Sequence, residues 1–160
     1  STDTFSIAFW FRLTGTSNGA FYNNRTAVGE GVSVFLLDTN KLRFDTGSSY
    51  QWTPNVTVST GQWYHLCVTR DATGKKIYIN GALKDSTTSA GVLTTISTLA
   101  SVGISSTGSA YGGNPLPGDM SDFRIYNTAL SAEDILELYR QGACIDDSGN
   151  ISTGEYIEEV

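Results

Sequence analysis

The 160-residue sequence is poor in the residue types that build most catalytic and metal centres. It contains two cysteines, one methionine and one histidine. One histidine does not make a zinc site without cysteine or carboxylate ligands, and no serine–histidine–aspartate arrangement can be placed around it. We therefore interpret His65 as a structural residue that hydrogen-bonds a neighbour within a strand. No glycine-rich phosphate loop precedes a helix either.

Charge is scarce as well. Charged residues make up 16% of the chain and the net charge is −6, where about a quarter charged is usual. No cluster of lysine and arginine is present, which argues against nucleic acid and anionic membrane surfaces as partners. No apolar run approaches the roughly 18 residues that a spanning helix requires, so we predict no membrane insertion.

Serine, threonine, glycine and asparagine make up for the small number of charged residues. This composition is typical of extracellular β-sandwich surfaces. We therefore predict an extracellular location, on a cell surface or a virion surface. The length suits one domain with a full core. We place this domain at residues 1–142 and interpret the acidic residues 143–160 as a tail, either a linker or an edge strand.

Two features stay open at this point. Cys67 lies mid-strand and Cys144 follows the predicted helix, and a bridge between them would suit a secreted protein. Asn24, Asn55 and Asn150 each begin a triplet that fits the glycosylation acceptor pattern. Such triplets also arise by chance in a sequence rich in asparagine and threonine.

Residues 61–83, GQWYHLCVTRDATGKKIYINGAL, predict an antiparallel meander. Aromatic and β-branched residues at 63–69 favour a strand. Residues 71–74 form a turn cluster in which Gly74 is free to take positive φ. A second strand at 76–79 leads to Asn80-Gly81, the strongest two-residue hairpin signal, and residues 82–85 return antiparallel.

The rest of the chain predicts further short strands and one helix. Strands are expected at 4–13, with both faces buried, and at 26–31, 32–38, 41–45, 99–104 and 119–126; loops are expected at 14–24, 46–60, 86–98 and 105–118. Ser131 is the expected N-cap with Asp134 in a capping box, and Gly142 the expected C′ residue. The predicted fold is all-β, an antiparallel β-sandwich of jelly-roll type with one short C-terminal helix.

Three stretches resemble the laminin-G-like, concanavalin A-like jelly rolls. The stretch GQWYHLCVTRDATGKKIYINGALKDS resembles the central hairpin of that family. TFSIAFWFRL resembles its opening inner strand, and GDMSDFRIYNTALSAEDILELYRQG its closing strand and short helix. The resemblance implies the jelly-roll fold. It does not identify the ligand, because this fold hosts lectins, adhesion modules, glucanases and purely structural domains.

The glucanases of this fold make an enzyme a natural alternative. A retaining glycosidase needs two carboxyl groups about 5 Å apart, and the laminarinase-type enzymes carry theirs as Glu-x-Asp-x-x-Glu on one strand. That spacing does not occur in this sequence. We therefore predict that the protein is not an enzyme.

Calcium is the ion that the resemblance implies, because many members of the superfamily bind it on loops at the sandwich rim. The related pentraxins use an acidic loop. The matching loop here, residues 103–113, keeps Tyr-Gly-Gly but carries no acid. We therefore place a structural calcium site at Asp119 and Asp122, with Asp3 as a further ligand. The alternative is that these acids are solvated turn residues.

Sugar binding requires an aromatic platform and a few directed polar groups. Aromatic and amide residues in otherwise polar predicted loops are the candidates: Tyr22, Asn24, Arg25, Tyr50, Trp52, Tyr111 and Asn114. Trp52 is equally well interpreted as a plug at the end of the sandwich, whereas Trp10 and Trp63 are interpreted as core.

The sequence thus predicts a non-catalytic extracellular module for adhesion or carbohydrate binding. Its ligand would be a carbohydrate or glycoconjugate bound on rim loops, with possible help from calcium. The main alternative is a structural or protein-interaction domain of a cell-surface or virion protein that has no sugar site. The third hypothesis is a glycosidase. The missing carboxylate pair argues against it.

Overall fold

The computed structural model describes residues 4–25, 31–47, 50–93, 100–104, 115–142, 144–145 and 151–152. Its elements, in chain order, are β1 (Phe5–Leu13), β2 (Gly19–Asn23), β3 (Val32–Leu36), β4 (Leu42–Thr46), β5 (Tyr50–Trp52), β6 (Trp63–Asp71), β7 (Gly74–Ile79), β8 (Ala82–Thr87), β9 (Ser101–Val102), β10 (Gly118–Tyr126), α1 (Ala132–Gly142), β11 (Cys144–Ile145) and β12 (Ile151–Ser152).

Ten of these strands form two five-stranded antiparallel sheets. The first sheet has the order β10-β1-β6-β7-β8, and the second has the order β5-β4-β3-β2-β9. The strands β11 and β12 pair with each other in a separate two-stranded sheet. The predicted antiparallel β-sandwich with one short helix is confirmed. None of the described helices is both long and apolar enough to cross a membrane.

Strand β1 buries both of its faces, as its sequence predicts. Ile7, Phe9 and Phe11 belong to the core between the two sheets. Ala8 belongs to a second, smaller cluster on the opposite face of the first sheet, together with Ile135 of α1. The two faces are therefore covered by different partners, the second sheet on one side and the helix on the other.

The tight turns follow from local sequence. Asn80 and Gly81 have φ values of 52° and 75°, so both central residues of the β7–β8 hairpin lie in the left-handed region that a type I′ turn requires. Asn40 has a φ of 56° in the β3–β4 turn, and asparagine tolerates that conformation better than most residues.

Two predicted loops contain strands. Residues 19–23 form β2, where a register shift between Ala20 and Tyr22 interrupts the alternation that would reveal a strand; Phe21 and Tyr22 both join the core. The three residues of β5 pair only with β4, at the edge of the second sheet. The predicted strand at 26–31 falls mostly outside the described residues.

Helix α1 begins as predicted. The hydroxyl of Ser131 donates to Asp134 at 2.6 Å, and the backbone N–H of Asp134 donates back to that hydroxyl at 3.1 Å. Gly142, however, is the last helical residue rather than a C′ residue. A Cβ at this position would lie 2.3 Å from Nε1 of Trp10. Glycine is therefore required here by close packing against the indole, not by backbone conformation.

The rings of Trp10, His65 and Tyr139 meet beneath α1. The ring centroid of His65 lies 5.4 Å from Trp10 and 6.2 Å from Tyr139. His65 is therefore a structural residue whose backbone N–H donates to the side-chain oxygen of Asn80 at 2.9 Å. Its buried Nδ1 atom has no hydrogen-bond partner among the described residues. Burial lowers the pKa of His65 from 6.5 to about 4; Asp122 opposes this shift and Arg124 adds to it.

Cys67 lies in the smaller cluster with Ala8 and Ile135 and is a free thiol. The structure therefore does not contain the Cys67–Cys144 bridge that the sequence leaves open. Burial raises the pKa of the Cys67 thiol to about 12, so the thiolate that reacts or binds metal is not formed at neutral pH. Cys67 serves as a small apolar side chain.

Replacing Gly142 with alanine tests the contact with Trp10. Helix propensity alone predicts that Gly142→Ala stabilises the protein by up to about 1 kcal/mol. The close approach predicts the opposite, a loss of about 1 to 3 kcal/mol, because the buried indole has to move. Urea unfolding of the variant, with Gln141→Ala as the matched helix control, measures the sign. A gain in stability would contradict this packing.

The depressed pKa of His65 makes stability depend on pH. The unfolded chain takes up a proton near the ordinary histidine pKa, whereas the folded chain does so only near pH 4. Stability should therefore fall by about 2 kcal/mol between about pH 7 and about pH 5. The variant His65→Phe should lack most of this loss in urea unfolding. An unchanged pH dependence in the variant would show that other groups cause it.

Candidate functional site

Tyr22 lies in the core, not on a ligand-binding loop. Its side chain is buried in β2, and its ring stacks on Phe123 of β10 with a centroid distance of 5.8 Å. Desolvation raises the pKa of its hydroxyl. The prediction that placed Tyr22 on a loop is wrong, because the register shift in β2 turns it toward the other sheet.

Asn24 and Arg25 are held inside the structure. The side-chain oxygen of Asn24 accepts the backbone N–H of Val32 at 2.7 Å. Nη1 of Arg25 lies 3.0 Å from Asp45, whose carboxylate also accepts Nε of Arg43 at 2.9 Å. All these side chains are nearly or fully buried. This arrangement favours a structural role for Asn24 and Arg25, and it buries Asn24, the acceptor residue of the first glycosylation triplet.

Trp52 lies in β5, the edge strand of the second sheet. Its half-buried ring packs against the core, and the ammonium of Lys75 lies 5.8 Å from it and 5.5 Å from the ring of Phe44. Burial lowers the pKa of Lys75 to about 8, opposed by Asp45. Tyr50 lies in β5, opposite Thr46. Tyr111 and Asn114 lie outside the described residues.

The two carboxylates predicted to bind calcium are each paired with an arginine. Asp119 lies 2.8 Å from Arg12, and Asp122, at a bulge in β10, lies 2.6 Å from Arg124. The described residues contain no group of three or more histidine, cysteine or acidic side chains placed to hold a metal. The described residues alone therefore do not form a complete calcium site. Asp3 lies outside the described part, and the calcium prediction stays a prediction.

The structure shows a pocket that the sequence did not reveal, here called the rim pocket. It has a volume of about 400 Å³. Segment 55–58, Tyr64, the β7–β8 turn and Lys84 form it; the lining residues are Asn55, Val56, Thr57, Val58, Tyr64, Ile79, Asn80 and Lys84. Its two valines and the isoleucine are buried, whereas the amide and lysine side chains lie at its mouth.

Hydrogen bonds fix the walls of the rim pocket. The backbone N–H of Asn55 donates to Asp85 of β8 at 2.8 Å, and that of Ser59 donates to the hydroxyl of Tyr64 at 3.1 Å. The carbonyl of Val56 accepts from Leu42 at 3.2 Å. Segment 55–58 is thus tied to both sheets, and the pocket is formed before any ligand arrives.

Comparisons with known proteins agree with this fold. Residues 1–136 match the family model described as the concanavalin A-like lectin/glucanases superfamily. No curated protein matches the sequence. The heptameric SAP-like pentraxin from Limulus polyphemus has a TM-score of 0.68 at 13% identity, over 99% of this chain and 78% of that chain. The predicted resemblance to the concanavalin A-like family is confirmed, and the pentraxin shares its fold.

Two further neighbours are named for their ligands. Domain 4 of AbnA, an extracellular arabinanase from Geobacillus stearothermophilus solved with arabinotriose, has a TM-score of 0.61 at 22% identity, over 87% of this chain and 68% of that chain. Botulinum neurotoxin type C, whose cell entry depends on two ganglioside molecules, has a TM-score of 0.63 at 22% identity. This chain spans about a third of the toxin chain, 35%. Identities this low show the fold alone.

The Arg25–Asp45–Arg43 network provides a test of structural against ligand-binding roles. Asp45→Asn should destabilise the protein by about 3 kcal/mol or more, because it removes the buried carboxylate that two guanidinium groups share. Asp38→Asn, at an exposed turn, is the control and should change stability by less than about 0.5 kcal/mol. Urea unfolding measures both. A loss of glycan binding in Asp45→Asn at unchanged stability would instead place this network in a ligand site.

Proposed function

We infer that this chain, which belongs to the concanavalin A-like lectin/glucanases superfamily, is a non-catalytic module that binds a carbohydrate. The observation that carries the proposal is the rim pocket, with its apolar floor and amide-lined mouth. The arabinotriose complex of the arabinanase domain supports it, because this chain covers 68% of that domain. The ganglioside-dependent toxin supports it less, because this chain covers 35% of the toxin chain.

The chemistry of the rim pocket suits a short saccharide. A sugar ring presents apolar C–H faces and a rim of hydroxyl groups, so it needs apolar surface and directed hydrogen bonds together. Tyr64 and Val56 offer the apolar surface. Asn55 offers an amide that no described residue occupies, and Asn80 keeps its NH₂ group because its oxygen accepts from His65.

The lining of the rim pocket also supports a binding role without catalysis. Its described residues include no carboxylate and no histidine, whereas glycoside hydrolysis by the usual route requires two carboxyl groups across the scissile bond. The Glu-x-Asp-x-x-Glu pattern of the related glucanases is missing from the whole sequence. Binding of the ligand is therefore the whole proposed activity.

We place the module outside the cell. The support is a surface rich in hydroxyl and amide side chains, together with the extracellular arabinanase among its structural neighbours. A calcium ion is retained as a proposed cofactor that binds away from the rim pocket, because that pocket offers no carboxylate to a hard cation.

A protein partner is the second candidate. Val102 and Ile104, in and next to the edge strand β9, and Ile125 of β10 are exposed large apolar residues. Edge strands with apolar side chains are a common docking element. A structural neighbour, the binding domain of botulinum neurotoxin DC, is solved with rat synaptotagmin II. This function predicts partner binding that changes at the rim pocket leave intact.

A glycan array with the purified chain, run with calcium and again with EDTA, tests the proposal. We expect binding of a short oligosaccharide, and a loss of about tenfold in Asn55→Ala, because one directed hydrogen bond is removed while the backbone contact to Asp85 remains. Thr60→Ala, exposed and outside the pocket lining, is the control and should bind as the parent does.

The outcomes separate the hypotheses. Binding that survives EDTA assigns recognition to the rim pocket alone, and binding lost in EDTA adds a calcium site. If neither Asn55→Ala nor Thr60→Ala changes the glycan affinity, the sugar site lies outside the rim pocket. No glycan binding in either condition overturns the proposal in favour of the protein partner.

A further inference from the structure

We propose that the rim pocket selects a saccharide that carries a carboxylate, with the ammonium of Lys84 as its counterion. This inference rests on the proposed function and specifies the class of ligand.

A β-bulge directs Lys84 toward the rim pocket. Ile77 pairs with Asp85 and Tyr78 pairs with Leu83, so Lys84 is the extra residue of β8. Leu83 lies opposite Tyr78, a residue of the smaller cluster beneath the helix. Asp85 lies opposite Ile77, a residue of the core between the sheets. A bulge re-aims the side chain at the irregular position, and here the re-aimed residue lines the pocket.

Among the described residues that line the rim pocket, Lys84 carries the single formal charge. Its ammonium takes part in none of the ion pairs of the described residues, where Arg12, Arg25, Arg43 and Arg124 are each paired with an aspartate. An unpaired cation at a preformed pocket attracts an anionic group of the ligand.

The neighbouring acid, Asp85, bonds to the backbone and forms no ion pair with Lys84 among the described residues. One oxygen of Asp85 accepts the backbone N–H of Asn55 at 2.8 Å, and the other accepts that of Ser86 at 2.7 Å. These two bonds hold the Asp85 carboxylate on the wall between segment 55–58 and β8. Both carboxylate oxygens are thus occupied by backbone donors, and the ammonium of Lys84 has no hydrogen bond to this carboxylate among the described residues.

The other groups favour a sugar acid over other anions. Phosphate and sulfate groups are usually held by several donors or by bidentate arginine, and the pocket has one lysine and no arginine. One ammonium matches one carboxylate, and the Asn55 and Asn80 amides match neighbouring hydroxyls. Uronic acids and sialic acids share this chemistry, a carboxylate on a polyhydroxylated ring.

Matched ligand pairs test the inference by titration calorimetry on the whole chain. The pairs are trigalacturonate with its methyl ester, and sialyllactose with lactose, which also separate the two sources of the carboxylate. We expect the acid of at least one pair to bind about 3- to 10-fold more tightly than its neutral counterpart, and added salt to reduce that ratio.

Lys84→Gln should bring the acid-to-neutral ratio close to one, without changing affinity for the neutral member. Lys76→Gln is the matched control, because Lys76 is an exposed lysine of β7 outside the pocket lining, and it should keep the parent ratio. Unfolding in urea checks that both variants remain folded.

Three results would overturn the inference. Equal affinity for acid and neutral ligands in the parent chain would leave the proposed sugar binding intact and remove the role of Lys84. A loss of both ligands in Lys84→Gln would make Lys84 part of the wall instead of a counterion. Equal losses of the acid preference in Lys84→Gln and Lys76→Gln would assign it to the overall charge. Absence of binding to every saccharide would overturn the proposed function itself.

Discussion

Ring contacts between the two sheets are the constraint on which the structure depends. Phe9 and Phe11 of β1 reach across to Phe21 of β2, with centroid distances of 5.1 and 4.8 Å. Two sheets pack only where their inner side chains interdigitate, so these rings set the spacing of the sandwich. Tyr64 stacks on Phe11 at 5.5 Å. The aromatic wall of the rim pocket is thus an extension of the core, and a ligand does not have to order it.

The parts of the fold that the sequence predicts are those with a local cause. Asn80-Gly81 specifies its turn because asparagine and glycine are the residues that adopt left-handed φ readily. The capping box of α1 needs only Ser131 and Asp134, three positions apart. The opening strand is visible because apolar residues occupy both of its faces. Each of these signals lies within a few residues of the structure it produces.

The candidate site has no such local signal. Asn55 and Asn80 come together only after the two sheets have packed, and nothing near either residue indicates the other. The bulge that turns Lys84 into the rim pocket depends on the register of β7 against β8. A register shift also explains why the sequence predicts a loop at Tyr22, because it interrupts the alternation of apolar residues in β2. Arg25 likewise looks like a free loop cation until the fold brings Asp45 beside it.

The position of β1 in its sheet has a consequence for synthesis on the ribosome. β1 lies between β6 and β10, and the hydrogen bond from Leu130 to Ser6 joins positions 124 residues apart. The ribosome adds about 5 to 20 residues per second. Several seconds therefore pass between the emergence of β6 and that of β10, which covers the second edge of β1. During that interval an apolar strand presents an unpaired edge. We therefore expect the yield of folded protein to depend on translation speed and chaperone access. This dependence should be stronger than the dependence of the yield on the stability of the folded β-sandwich.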